Sequence, residues 1–413
     1  MRPTRVAVAL LALAAACGVA ALASAQRADP RAPSTFTVGQ PQGASPTDRV
    51  DARRSGVART ALPAGALRVA WRKSLGIPIE HAPMVTADGT VLVLTSRGDV
   101  YAFDDSGDER WRSTSGLSAA SGPALLADGT VAFATPSGDL VGARAGQRRF
   151  QTHLPGDRPA RVTPVALGDG GLALAVFGDV LFVDGDGQAR ARSALPEPLT
   201  AGLVALGGKL YGVAPGGVVY AATPGREAAR VGSFGGVVDR GIAALSDRTL
   251  VAIVDTSRVV ELDLVSGLTQ VRATALAGHL LGPPAVRGGL VYAMAQLPGR
   301  TYVVAYDGAG NEVKRAQIAT FPPPVSLDGG PTALPVPPHT GVLVDGAGTV
   351  AFVAPDGAAG VVSDQGGVDT VGETVCTRAL GRAQNASGGL APAGPGAFYV
   401  ACEGGQLVKI SGK

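Results

Sequence analysis

The chain is poor in the residues from which the commoner catalytic centres are built. Its 413 residues include only four histidines, three cysteines and two tryptophans, and aromatics make up 5%. It has no Gly-Lys-Ser/Thr loop to cradle a phosphate, no Gly-x-Ser-x-Gly elbow and no His-Glu-x-x-His zinc pair. Those absences argue against P-loop, serine-hydrolase and zincin chemistry. Charge is sparse at 17%, and 36 basic residues nearly cancel 33 acidic ones. A near-neutral chain is a poor match for nucleic acid or an anionic membrane surface as main partner. Arginine outnumbers lysine 31 to 5, but the arginines are scattered, which reads as coding bias rather than a phosphate site.

Turn formers are abundant instead. Glycine accounts for 59 residues and proline for 30, with no three-residue period. Between the turns stand apolar runs too short for helices and alternating as strands do. In residues 83–111, three turns, including Asp88-Gly89, Arg97-Gly98 and Ser106-Gly107, join four such runs into one antiparallel meander. The text returns from Pro123: Asp128-Gly129-Thr130 stands 40 residues after Asp88-Gly89-Thr90, and Gly138-Asp139 answers Gly98-Asp99. Phe150 answers Trp111, which itself lies 40 residues after Trp71. A period near 40 with four short strands per unit is a propeller signature.

The N-terminus reads as an export signal. Arg2 and Arg5 precede an apolar stretch from Val6 to Ala16, and Ala23-Ser24-Ala25 is a small-x-small cleavage pattern. Residues 1–25 are therefore expected to be a signal peptide. Cys17 admits a second reading as a lipidation site, although Leu13 stands one place too early for a lipobox. Residues 26–65 are rich in Pro, Arg, Ser, Asp and Gly with little apolar periodicity, and are expected to be a disordered tether. Residues 66–413 are the propeller.

Turn signals divide that domain into eight units, with seven as the alternative because the later units are degenerate. The expected fold is all-β: an eight-bladed propeller of four-stranded antiparallel blades. The last unit, ending at Ile410, shows three strands, and the run around Val69-Ala70-Trp71 is expected to supply its fourth. Within a unit the Pro-containing strand should be innermost. Trp71, Trp111 and Phe150 then fall on outermost strands, where they can fill the gaps between blades. A Pro-rich insertion from Phe321 to Pro338 is a candidate contact loop.

The unit "strand, Asp-Gly, strand, Gly-Asp, Val-Tyr-Ala-Phe-Asp, Ser-Gly, Arg-Trp" resembles the PQQ-like β-propeller repeat. The likeness is clearest at 83–111 and 121–150 and covers nearly all of the chain after residue 65. It implies one of two branches. Quinoprotein dehydrogenases hold PQQ and calcium in the central funnel; periplasmic propellers such as the outer-membrane assembly lipoprotein BamB are non-catalytic protein-binding scaffolds. The enzymatic pattern is not matched: Cys376 and Cys402 are not adjacent, and Trp71 and Trp111 sit at outer-strand positions rather than over a quinone. The expectation is thus no enzyme and no cofactor. The chain would be an exported scaffold in the periplasm or at the outer membrane, secreted as the alternative. Its partners would be envelope or outer-membrane proteins, with membrane contact only through a lipid at Cys17. The competing reading is a small-ligand binder or degenerate quinoprotein using the funnel.

Several residues define candidate sites. His81, His279 and His339 fall at or just before innermost strands, so their loops should converge on the funnel; Glu80, Ser121 and Thr163 share that register. Scattered histidines in polar loops are more often solvated than metal-bound, and no metal is expected. Cys376 and Cys402, 26 residues apart, are a candidate disulfide in an oxidising compartment. Asp184-Gly-Asp-Gly187 resembles part of a calcium loop but lacks the third acidic position and the closing Glu, so a plain turn is expected.

Overall fold

The computed structural model describes residues 45, 49–155, 160, 162–239, 241–274, 278–320, 341–376 and 389–413. The 1–25 leader, Cys17, His339 and the 321–338 insertion lie outside them. Among the described residues the chain forms eight four-stranded antiparallel sheets arranged in a ring. Eight blades, not seven, make the propeller.

The first blade shows how the sequence makes each one. Met84–Val85 is innermost, followed outward by Val91–Leu94, Val100–Phe103 and Glu109–Ser113. The two middle strands are buried along their whole length, because both faces pack against neighbouring blades. The outermost strand is mostly exposed and carries charge. Asp88 accepts a hydrogen bond from the Thr90 amide (3.3 Å), and Asp128 does the same from Thr130 (2.9 Å). In the turns between third and fourth strands, Asp104, Asp184 and Asp307 each accept from two backbone amides, as does Asp345 between the first two strands of blade seven. These are Asx turns, in which a short carboxylate stands in for a backbone acceptor. The Asp184-Gly-Asp-Gly187 stretch is one of them.

Blades two to seven follow in chain order, with innermost strands Ala124–Leu125, Val165–Ala166, Ala201–Leu206, Ile242–Ala244, His279–Arg287 and Leu343–Val344. The eighth runs Gly389–Pro392, Ala397–Cys402, Gln406–Gly412, and its outermost strand is Leu67–Ser74. The N-terminal strand therefore pairs with the C-terminal one. Trp71 seals that seam: its ring lies 5.6 Å from Tyr399 and 6.4 Å from Phe103, and its indole N–H donates to the Asp105 carbonyl (2.9 Å). Lys409 crosses the same seam to the Asp105 carboxylate at 2.5 Å. Gly107, at φ +89°, lies against the Trp71 ring; a Cβ there would stand 2.9 Å from it. Trp111 packs with apolar residues of blades one and two, and Phe150 with those of blades two and three.

Cys376 and Cys402 are bonded, with Cα atoms 5.5 Å apart. Cys376 follows the last strand of blade seven, Val368–Thr370, and Cys402 ends the second strand of blade eight. Both sulfurs are buried in one apolar cluster spanning the two blades.

Candidate functional site: the channel and its mouth

The innermost strands offer one unpaired edge to the central channel. Buried backbone groups left there without partners would be destabilising. The chain fills much of this edge with its own N-terminal segment. The amides of Ala205, Ala244, Val286 and Val344, one from each of blades four to seven, donate to the carbonyls of Ala52, Arg53, Ser55 and Gly56 at 2.8–3.0 Å. Ser45 exchanges two hydrogen bonds with Val85 of blade one (2.7 and 3.1 Å). Further on, the Ala58 amide donates to the Val344 carbonyl, the Leu62 amide to the Asp345 carboxylate, and the Gly396 amide to the Ala61 carbonyl, each at 2.8 Å. Val50, Ala52, Ala58 and Leu62 are buried. The stretch from Arg49 to Leu62, expected as part of a free tether, is thus an integral part of the ring's interior. Its polarity misled because its bonds come from backbone carbonyls, which a side-chain pattern does not display.

Asp51 holds this segment in shape. Its carboxylate accepts from the Ser55 amide (3.0 Å) and hydroxyl (2.6 Å), while the Arg49 carbonyl accepts from the amides of Asp51 and Gly56. The turn throws two buried guanidiniums across the channel. Arg49 donates to the carbonyls of Val342 (2.8 Å) and Pro284 (2.7 Å), and Arg54 to those of Leu203 (3.3 Å) and Thr163 (3.0 Å). Above them a cavity of about 170 Å³ remains, lined by Arg49, Arg54, Val162, Thr163, Thr200, Ala201, Gly202, Asp239 and neighbouring residues. Its walls are the starts of innermost strands in blades three to six. A cavity of about 330 Å³ lies elsewhere, on the rim of the blade eight–one seam, beside Lys73, Tyr101 and Arg112.

The funnel candidates fare differently. Thr163 lines the cavity, and His81 is its neighbour: a Cβ on Gly122 would stand 2.5 Å from the Thr163 hydroxyl and 3.2 Å from His81 Nδ1. Ser121 is fully buried; its hydroxyl donates to the Gly122 carbonyl and accepts from the Ala134 amide, so it holds blade two together. Glu80 is exposed next to His81. His279 starts the long inner strand of blade six and meets Thr256 of blade five at 3.1 Å, away from the cavity. The sequence reading missed Arg49 and Arg54.

A calcium ion needs several converging oxygen ligands, including carboxylates. The cavity brings one carboxylate, Asp239, and two guanidiniums, and among the described residues no three His, Cys, Asp or Glu side chains group to hold a metal. The donor set does not fit a calcium-held quinone.

A family model described as "Outer membrane protein assembly factor BamB" matches residues 55–188. Among solved structures, BamB from Moraxella catarrhalis is similar with a TM-score of 0.57 at 17% identity, covering 84% of this chain and 98% of that one. The chain shares the propeller fold with that structure. A europium-containing methanol dehydrogenase shares the propeller with a TM-score of 0.58 at 14% identity, over 89% of this chain and 98% of the enzyme. The computationally designed Ika8 protein does so at 0.58 and 15%, over 86% and 100%. At these identities the likeness is one of fold. No curated protein matches the sequence. The PQQ-type propeller fold thus spans an enzyme and an assembly factor, and the site rather than the fold has to decide between them.

Proposed function

We propose that this propeller is an exported, non-catalytic scaffold of the bacterial cell envelope that binds proteins of outer-membrane assembly. One observation carries the reading. The space in which a quinoprotein would hold its cofactor is crossed by the chain's own residues 49–58, bonded to blades four to seven. The family match points the same way. Export rests on the N-terminal signal pattern, and a lipid on Cys17 would supply the anchor. Among the described residues no helix is long and apolar enough to cross a membrane.

Crosslinking in native envelopes, followed by capture of the chain and mass spectrometry, tests this. The expected result is a reproducible set of outer-membrane assembly proteins, with an intact mass that shows no retained small molecule. Dye-linked alcohol oxidation by the protein after incubation with PQQ and calcium would overturn it.

A further inference from the structure

The outer edge of blade five lacks a protection that its neighbours carry. Its outermost strand, Thr269–Thr274, is paired on one side to the rest of the blade. Along the other side every second residue turns its N–H and C=O outward, a template for strand pairing. Exposed charge is a common means of keeping a copy of the same edge away. The residue just before the bulge in these strands is Glu109, Arg148, Arg230 and Glu312 in blades one, two, four and six, all exposed. Blade three has Ala189 there, followed by exposed Arg190. In blade five it is Val271. The strand's one charged residue, Arg272, is turned inward: its side chain is 6% exposed, pairs with Glu261 and donates to the Gly289 carbonyl of blade six (2.8 Å). Thr269, Gln270, Val271 and Thr274 are what the edge shows to solvent.

The hairpin leading into that strand adds an apolar tip. The equivalent turns of blades one, three and six read Asp104-Asp-Ser-Gly107, Asp184-Gly-Asp-Gly187 and Asp307-Gly-Ala-Gly310, whereas blade five reads Asp263-Leu-Val-Ser-Gly-Leu268. Val265 is 77% exposed, Leu268 72% and Val271 49%, three of the seven exposed large apolar residues among those described. Scattered singly such residues need no explanation; clustered on one hairpin they form a patch. The tip is also held firm. The Asp263 carboxylate accepts from the amides of Val265 (3.0 Å) and Ser266 (2.9 Å) and from the Arg248 guanidinium (2.7 Å), and the Leu264 amide donates to the Arg248 carbonyl (2.8 Å). Little ordering is left for a partner to impose.

We infer that this edge pairs with the same edge of a second copy of the chain. Thr269–Thr274 lies antiparallel to its twin about a two-fold axis, so that two four-stranded blades become one continuous sheet. Each copy's apolar tip then lies beside the Thr274 end of the other's strand. Charge favours a second copy as the occupant. On blades one to four and six, the exposed arginines and glutamates would face their own like charges across such an axis, and directly opposed like charges destabilise a strand pair. Blade five presents no such opposition to itself. Closed two-fold pairs are also the commonest assembly of identical chains. The inference goes beyond the scaffold reading and does not depend on it.

Sedimentation velocity of the purified chain over a wide range of concentration provides the test. A reversible dimer is expected, its share rising with concentration, and it should persist in high salt because no ion pair makes the contact. Val271→Lys restores the charge that other blades carry before the bulge and should weaken dimerisation by roughly tenfold or more. Val271→Thr, uncharged and β-branched, should leave it nearly unchanged, as should Arg230→Glu on the edge of blade four. All three positions are exposed, so the variants should melt with the parent. A chain that is monomeric at every concentration, a dimer indifferent to Val271→Lys, or one lost equally with Arg230→Glu would overturn the inference. So would protection of the Thr269–Thr274 amides from hydrogen exchange only when envelope extract is added, which would mark a different partner.

Discussion

The two sides of the ring are held by different means. In blades eight, one and two, the residue that follows the bulge in the outermost strand is Trp71, Trp111 and Phe150. In blades three to six the corresponding residues are Ala191, Gly232, Ala273 and Lys314. Three seams are filled by large rings; the next four have small or polar residues there. On the channel side the distribution runs the other way. Blades four to seven give an inner-strand amide to residues 52–56, while among the described residues only blade one of the first three is bridged in this way, by Ser45. Where the outer filler is missing, the chain has laid a strap on the inside.

Lys314 shows the change of chemistry most clearly. Its ammonium donates to the Gly348 and Ser363 carbonyls of blade seven and approaches Asp364 at 3.5 Å. Burial pushes its pKa down, opposed by the Asp364 charge. Hydrogen bonds thus bridge a seam that an aromatic ring fills elsewhere. Tyr399, behind Trp71, is the contrasting case: burial, joined by the nearby Asp105 and Asp104 charges, raises its phenol well above the usual range.

Removing residues 1–62 should break the comparison most severely. It deletes the carbonyl partners of four buried amides, each left unsatisfied at about 1–3 kcal/mol. Thermal melts should lose cooperativity, with blades four to seven opening first in limited proteolysis. Next comes Trp111→Ala, which empties the blade one–two seam. The expected loss is about 3 kcal/mol by denaturant unfolding, and it should leave proteolysis of blades four to seven unchanged. Cys402→Ser removes the blade seven–eight link, whose loop of 26 residues is worth about 3 kcal/mol in the chain-entropy account. A variant equal in stability to the parent would show that the N-terminal strand already fixes that seam. Lys314→Met should change stability by only about 1 kcal/mol in either direction, because burying an apolar chain of similar length offsets the lost bonds.

The smallest effect concerns pH. Asp88 is held down to about 2, first by the hydrogen bond from the Thr86 hydroxyl, and Asp263 to about 2, first by the Ser266 amide. Both are depressed from an ordinary 3.8. Their contribution is therefore complete above about pH 4 and lost as pH falls toward 2. Melting temperatures should hold between pH 7 and 5 and decline below 4; Asp88 is exposed and Asp263 partly so, and the decline should be shallow. A flat profile would remove the Asx turns from the account of stability.

The aromatic side of the ring was also the legible side. Asp-Gly turns at a 40-residue spacing and the bulky residues Trp71, Trp111 and Phe150 made blades eight, one and two readable, and the fold with them. Blades four to six kept the strand pattern but lost the outer marker, which is why seven blades stayed open as a count. Of the residues expected at the funnel, Thr163 lies on the cavity wall and His81 beside it, since a propeller brings all inner-strand starts to one end. Ser121 shared the register but spends its hydroxyl on its own blade. Arg49 and Arg54 left no trace in the pattern. They lie outside the repeat in a polar stretch, and what places them is a ring of carbonyls that any sequence of that length can offer.

Amide hydrogen–deuterium exchange on the full chain tests the central claim most directly. Ala205, Ala244, Val286 and Val344 should exchange slowly in the intact protein and accelerate by orders of magnitude when residues 1–62 are absent, while the inner strands Ala124–Leu125 and Val165–Ala166 change little. Equal protection of all six strands in both proteins would show that the segment merely rests in the channel, and the inner strap would have to be abandoned.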